Sequence, residues 1–190
     1  MSQTIDKLPK PQGMPDWQWI DLRVQLMLLE AGYKKAMSVH IRSDVPKAMD
    51  SLGQLSKLLA NQGLYCRLYS EVIHSSYHLY VGKNKEFVDD LERSLSGRLP
   101  IEEADLIHGR LSGFPETAIQ AFLEKNVIKS NGLPDEVRRL PEYIFGTFKF
   151  SKEHWHEELE VSREWANYIK QHAPELYEQF LAQFTEMRAQ

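Results

Sequence analysis

LYCRLYSEVIHSSYHLYVG, residues 64–82, divides into two sets of side chains. Leu64, Cys66 and Leu68 alternate with Tyr65, Arg67 and Tyr69, and Tyr77, Leu79 and Val81 alternate with His78 and Tyr80. A repeat of two marks an extended strand with one side turned to a core. The stretch predicts two strands of a hairpin, one side apolar and the other carrying tyrosines, an arginine and a histidine.

The same rhythm occurs upstream in KAMSVHIR, where Met37, Val39 and Ile41 oppose Ser38, His40 and Arg42. Between these strands a helix is expected, with Asp44 as its cap and Pro46 in its first turn. Met49, Leu52, Leu55, Leu58 and Leu59 would line it, and Gly63 would stop it. After the hairpin, residues 84–96 predict a second helix, capped by Asn84, with Phe87, Val88, Leu91 and Leu95 inward. The order is β-α-β-β-α, the kernel of an α+β sandwich. The expectation is a small three- to four-stranded antiparallel or mixed sheet with both helices on its apolar face and the other face open. A C-terminal all-helical region follows.

Residues 1–15, with Pro9, Pro11, Gly13 and Pro15, read as a flexible arm with little power to bury surface. Asp16 is placed to cap a helix from Trp17 to Ala31 with Trp19, Leu22, Leu26 and Leu29 as its stripe and Gly32 as its end. Residues 16–98 thus form the α+β unit and residues 99–190 the helical region packed on it. In that region IEEADLIHGRLSGFPETAIQAFLEK predicts two short helices joined at Gly113, and residues 126–141 are loop-like. EYIFGTFKF fits a strand and a helix equally. Ser151 would cap a long helix carrying Trp155, Leu159, Trp165, Ala166, Tyr168 and Ile169. A last helix follows Pro174, with Leu176, Phe180, Phe184 and Met187. The aromatics of these two helices could pack internally or form a homodimer surface.

The chain has 190 residues, 42% hydrophobic and 26% charged, as expected of a folded globular protein. Its net charge of −4 supplies no global field for nucleic acid. Cys66 is the only cysteine, so no intrachain disulfide can form, and its position predicts a small buried thiol. The first 16 residues lack the apolar run of a signal peptide, and no run is long enough to span a bilayer. These features predict a cytoplasmic protein with no membrane association.

If the strands form one sheet, the polar side gathers Ser38, His40, Arg42, Tyr65, Arg67, Tyr69, Glu71, Ser76, His78 and Tyr80. Arginine holds carboxylate or phosphate through paired hydrogen bonds, tyrosine stacks, and histidine exchanges protons near neutrality. The expected ligand-binding residues are His40, Arg42, Tyr65, Arg67, Tyr69, His78 and Tyr80, toward a small anionic molecule or a protein partner. The competing reading is a solvated strand face whose cross-strand pairs only stabilise the sheet.

Four other signals are weaker. Glu102, Glu103, Asp105 and His108 could serve acid–base chemistry with His40 or His78, provided that they converge in one concave site. RLSGFPETAIQAFLEK has helix-turn-helix spacing, but Glu116 and Glu124 on its second helix oppose phosphate contact. HWHEE places His154 and Glu158 on one helix face without the second histidine of a zinc motif. No cofactor or metal motif is read. His74 and His78 are four apart, across the hairpin connection.

Overall fold

The computed structural model describes residue 5 and residues 8–71, 76–129 and 132–189; His74 lies outside them. Three strands are present among these: β1 (Ala36–Arg42), β2 (Tyr65–Glu71) and β3 (Ser76–Gly82). The helices are α1 (Asp16–Ala31), α2 (Ala48–Asn61), α3 (Lys85–Leu95), α4 (Ile101–Leu111), α5 (Glu116–Leu123), α6 (Asp135–Arg138), α7 (Pro141–Phe145), α8 (Trp155–His172) and α9 (Pro174–Ala189). The protein is an α+β fold: a small antiparallel sheet followed by a helical C-terminal region.

The sheet order is β1-β3-β2, so the second strand of the hairpin is central. His40 and Tyr69 both stand opposite His78, and Ser38 and Arg67 both stand opposite Tyr80. This register keeps every apolar position on one face, because a one-residue slip would turn them all to the other side. Met37, Val39, Ile41, Leu79 and Val81 are buried there beneath Leu52, Leu55 and Leu59 of α2. Met49 and Leu58, read as part of the same stripe, stay exposed.

Helix α1 buries more than one stripe: Leu22, Val24, Leu26, Met27, Leu28 and Leu29 are all nearly inaccessible. A helix apolar on several sides belongs in the middle of a protein, and α1 touches β1 on one flank and α8 and α9 on others. Phe145, Trp165, Tyr177 and Phe180 of the C-terminal helices join the same continuous core. These aromatics are thus used within the chain. Ile5, Leu8 and Met14 are also buried in it, more than the reading of a non-burying arm expected.

Helix α3 departs from the expectation that both helices cover the apolar face. Its Val88 and Leu91 pack with Ala36, Tyr80 and Leu111, on the Tyr/Arg/His side, with Tyr65 and Phe87 against them. The cause is local. Ala36 and Gly82 face each other in the register, and a Cβ at Gly82 would lie 2.9 Å from Val88 Cγ2. The missing side chain leaves the room into which α3 settles. Burying Val88 and Leu91 there contributes roughly 1.5–3 kcal/mol each.

Local signals were met unevenly. Asn84 Oδ1 accepts from the Phe87 N–H at 2.9 Å, as a helix cap should. Asp44 caps nothing: it accepts from Arg42 Nε at 3.0 Å, and α2 starts only at Ala48. The segment 142–150 is helical through Phe145 and then irregular with a bend at Phe148, and the Ile128 N–H donates to the Phe150 carbonyl at 2.8 Å. Among the described residues no helix is long and apolar enough to cross a membrane.

Candidate functional site

The polar face of the sheet is neither open nor filled. The first half of α3 rests on the Ala36–Gly82 end, while its second half passes over the middle of the sheet. The space between forms a cleft of about 860 Å³. Its floor carries Ser38, His40, Arg67, Tyr69, His78 and Tyr80; its wall and mouth carry Asp89, Glu92, Arg93, Leu95, Ser96 and Arg98.

Four rings run across that floor. Tyr69 and Tyr80 lie 6.4 Å apart at 25°, His78 and Tyr80 6.1 Å apart, and His40 and His78 5.7 Å apart. Strand pleating puts the four together, since diagonal and opposite neighbours on one face are within ring contact. Tyr80 is buried under α3, whereas Tyr69 is 45% exposed at the mouth. Ser76 Oγ lies 2.9 Å from His78 Nε2, which holds that ring in place.

Arg67 is tied to α3. Its guanidinium pairs with Asp89 at 2.6 Å, with Glu92, and donates to Tyr65 Oη at 3.4 Å. The Tyr65 hydroxyl first, then Glu92, hold its protonated form well beyond the ordinary arginine range. Lys85, and after it Arg67, keep the Asp89 carboxyl below its usual range. Arg67 therefore fastens α3 to β2, and its charge is already answered. Arg93 pairs with Asp90 at 3.3 Å. Arg98 at the mouth uses its backbone N–H toward Ser96 Oγ, and its guanidinium enters no ion pair among the described residues.

Of the seven residues expected to bind, the cleft thus unites His40, Arg67, Tyr69, His78 and Tyr80. Arg42 is not among its lining residues and pairs with Asp44; Tyr65 packs beside Phe87 at the closed end. Arg93, Arg98, Asp89 and Glu92 escaped the sequence reading, which had put α3 on the other face. Gly82 and Ala36, two small residues on the polar face of a pattern otherwise bulky there, carried the signal that a helix docks on that side.

The remaining candidates separate from this cleft. Asp105 and His108 line another cavity, of about 220 Å³, with Phe114 and Phe148. The carboxylate–histidine set and the strand histidines therefore do not share one concave site. His108 is pushed down in pKa by burial and then by the charge of Lys34, and its Nδ1 is buried without a hydrogen-bond partner among the described residues. In the α4–α5 pair, Glu116 accepts from Arg110 at 2.7 and 3.0 Å, so the second helix spends its carboxylate on the first. Gly113 at the turn has φ +75°, and a Cβ there would lie 1.9 Å from the Tyr33 carbonyl oxygen. The hairpin is pressed onto the main chain before β1. Glu158 is buried and accepts from the Ser151 N–H at 2.7 Å, while His154 is exposed. Burial pushes the Cys66 thiol up to about 11, which suppresses the thiolate at neutral pH.

Lys34 gave no sign of itself in the sequence. It is 4% exposed, donates to the Ser112 carbonyl at 2.9 Å and sits 4.7 Å from the Trp165 ring centre. Burial brings its pKa down to about 8, with Asp21 opposing the shift. Comparison of the chain with family models, with curated proteins and with solved structures returns no match.

Proposed function

We propose that the protein is a cytoplasmic binding protein that takes a small anionic molecule into the cleft between the sheet and α3. The observation that carries this reading is the row of four rings flooring a cleft of about 860 Å³. Ligand pockets commonly enclose about 300–1,000 Å³ and combine ring surface with a few directed polar groups. Arg98 supplies a cation at the mouth that enters no ion pair among the described residues, Tyr69 and Tyr80 the flat surface, and His40 and His78 the polar end of the floor. Arg67 keeps the wall in position and does not itself hold the ligand, because Asp89 and Glu92 neutralise it.

Thermal shift and calorimetry against a panel of small carboxylates and phosphates test this. At least one compound is expected to stabilise the chain, and Arg98→Ala and Tyr69→Ala are each expected to abolish that shift while leaving the unliganded melt in place. A panel without any hit, or a hit indifferent to both variants, removes the reading. Tyr69 and Leu95 are exposed beside the cleft, which favours a peptide segment of a protein partner as the second occupant. Retention of a partner by the Arg98→Ala variant but not by Tyr69→Ala would favour that occupant.

A further inference from the structure

We propose that two copies of the chain join through the outer edge of β2, antiparallel and centred on Leu68, merging their three-stranded sheets into one. The proposal rests on that edge and not on the anionic-ligand reading.

The register decides which main-chain groups the edge presents. The Lys83 N–H donates to the Lys35 carbonyl at 3.1 Å, one row beyond the Ala36–Gly82 pair. Antiparallel neighbours alternate between bonded and non-bonded rows, so odd-numbered residues of β3 bond to β1 and even-numbered ones to β2. Tyr65, Arg67 and Tyr69 are the β2 residues opposite those even positions. The N–H and C=O groups of Cys66, Leu68 and Ser70 therefore point outward, where no strand meets them among the described residues.

The two edges of the sheet are treated differently. On β1, α1 lies alongside and Gln18 Nε2 donates to the outward His40 carbonyl. β2 carries none of the usual defences of an edge: no proline, no lysine and no bulge. Its one cation, Arg67, is drawn to α3 by Asp89 and Glu92. The apolar face also stops short there, since Val39, Ile41, Leu79 and Val81 are buried whereas Cys66 and Leu68 are half-buried. Ser56 of α2 hydrogen-bonds the Cys66 thiol, and Met49, two helical turns earlier on the same flank, is exposed. A bare strand edge beside open apolar surface is a seat for another strand.

The sequence of β2 suits a second copy of itself. With a twofold axis at Leu68, the middle of Tyr65–Glu71, the whole strand finds a partner. Leu68 stands opposite Leu68, Cys66 opposite Ser70, and Arg67 opposite Tyr69. Each outward N–H and C=O is then answered, the apolar side runs on unbroken, and no like charges stand opposite each other. Parallel pairing in register would instead set Arg67 beside Arg67. Because α1 and Gln18 occupy the β1 edge, the assembly closes at two copies.

Sedimentation velocity of the full chain tests this and is expected to show a dimer that dissociates on dilution. Hydrogen exchange is expected to find the Cys66, Leu68 and Ser70 amides protected in the dimer and open after dilution, while Arg67 and Tyr69 stay protected through β3. Leu68→Lys, a central substitution that counts twice on a twofold axis, is expected to raise the dissociation constant by about thirtyfold or more. Ser70→Pro removes an outward N–H and leaves the bonds to β3 in place. It is expected to separate the copies, and it decides the matter should melts show that Leu68→Lys disturbs the fold. Ile101→Lys, at the exposed start of α4, is expected to remain dimeric. A chain monomeric at every concentration, a dimer that survives either folded β2 variant, or one lost in Ile101→Lys instead would overturn the proposal. The anion panel on the parent chain reads the cleft and not the edge, so either idea can fail alone.

Discussion

The two faces of the three-stranded sheet are built from the same strands and end in opposite conditions. One lies under α2 and merges with a core that runs to Phe180 at the far end of the chain. The other is held by α3 at one end and is hollow along the rest. The dry face is secured by many interchangeable apolar contacts, each removing surface from water. The wet face depends on a few specific ones: a glycine gap, two aliphatic side chains and one arginine between two carboxylates. Stability should therefore reside on the first face and selectivity on the second.

Leu52→Ala on the dry face is the sharpest challenge. Leu52 is fully buried, and truncation is expected to cost about 2–5 kcal/mol in denaturant unfolding. A loss below that of the cleft substitutions would break the contrast between the faces.

Next comes the charge buried in the dry core. Lys34 titrates near 8 in the folded chain against an ordinary lysine value of 10.5. Between those limits the unfolded chain binds more protons, so stability must rise with pH, by an amount on the order of 3 kcal/mol over the whole window. Below about 8 the full cost of the buried charge is present. Thermal melts from pH 7.5 to 10 are expected to show this rise in the parent chain relative to Lys34→Met, which lacks the titrating group. A constant difference between the two across that range would show that Lys34 is not desolvated as placed.

On the wet face, Arg67→Met removes the fastening of α3. The partners are partly exposed, so the loss in global stability is expected to be about 1 kcal/mol or less. Hydrogen exchange should respond more strongly, with α3 amides losing protection while α2 amides keep theirs. Equal effects on both helices would mean that the faces are not independent. Tyr69→Ala is the smallest: Tyr69 is exposed at the mouth, and its removal is expected to alter stability by no more than about 0.5 kcal/mol.

Strand alternation was legible because its period admits only one grouping: Leu79 and Val81 must share a side with Val39 and Ile41. From that grouping came the sheet, the α+β class and the row His40, His78, Tyr69 and Tyr80. The side taken by α3 was not legible. Val88 and Leu91 announce that a helix face is buried, but not which surface buries it, and Tyr80 is equally at home under a helix or in water. Arg67 illustrates the same difficulty, since its partners lie 22 and 25 residues ahead and no local pattern links them. Lys34 was invisible for a different reason. Its burial is caused by Trp165 and the Ser112 carbonyl, which reach it only after α8 and the α4–α5 turn have docked.

The contact at Gly82 governs more than the seat of one helix. With Val88 lodged against that bare α-carbon, α3 pivots over the row closest to it and lifts away from the rows beyond. The aperture over the histidines is therefore set from the Ala36–Gly82 row, two rows of the same face away from His40 and His78. A methyl group at position 82 would raise the near end of the helix and change the gape without altering a single lining side chain. Related chains could retune which molecules enter by exchanging glycine for alanine there, keeping the chemistry of the floor intact.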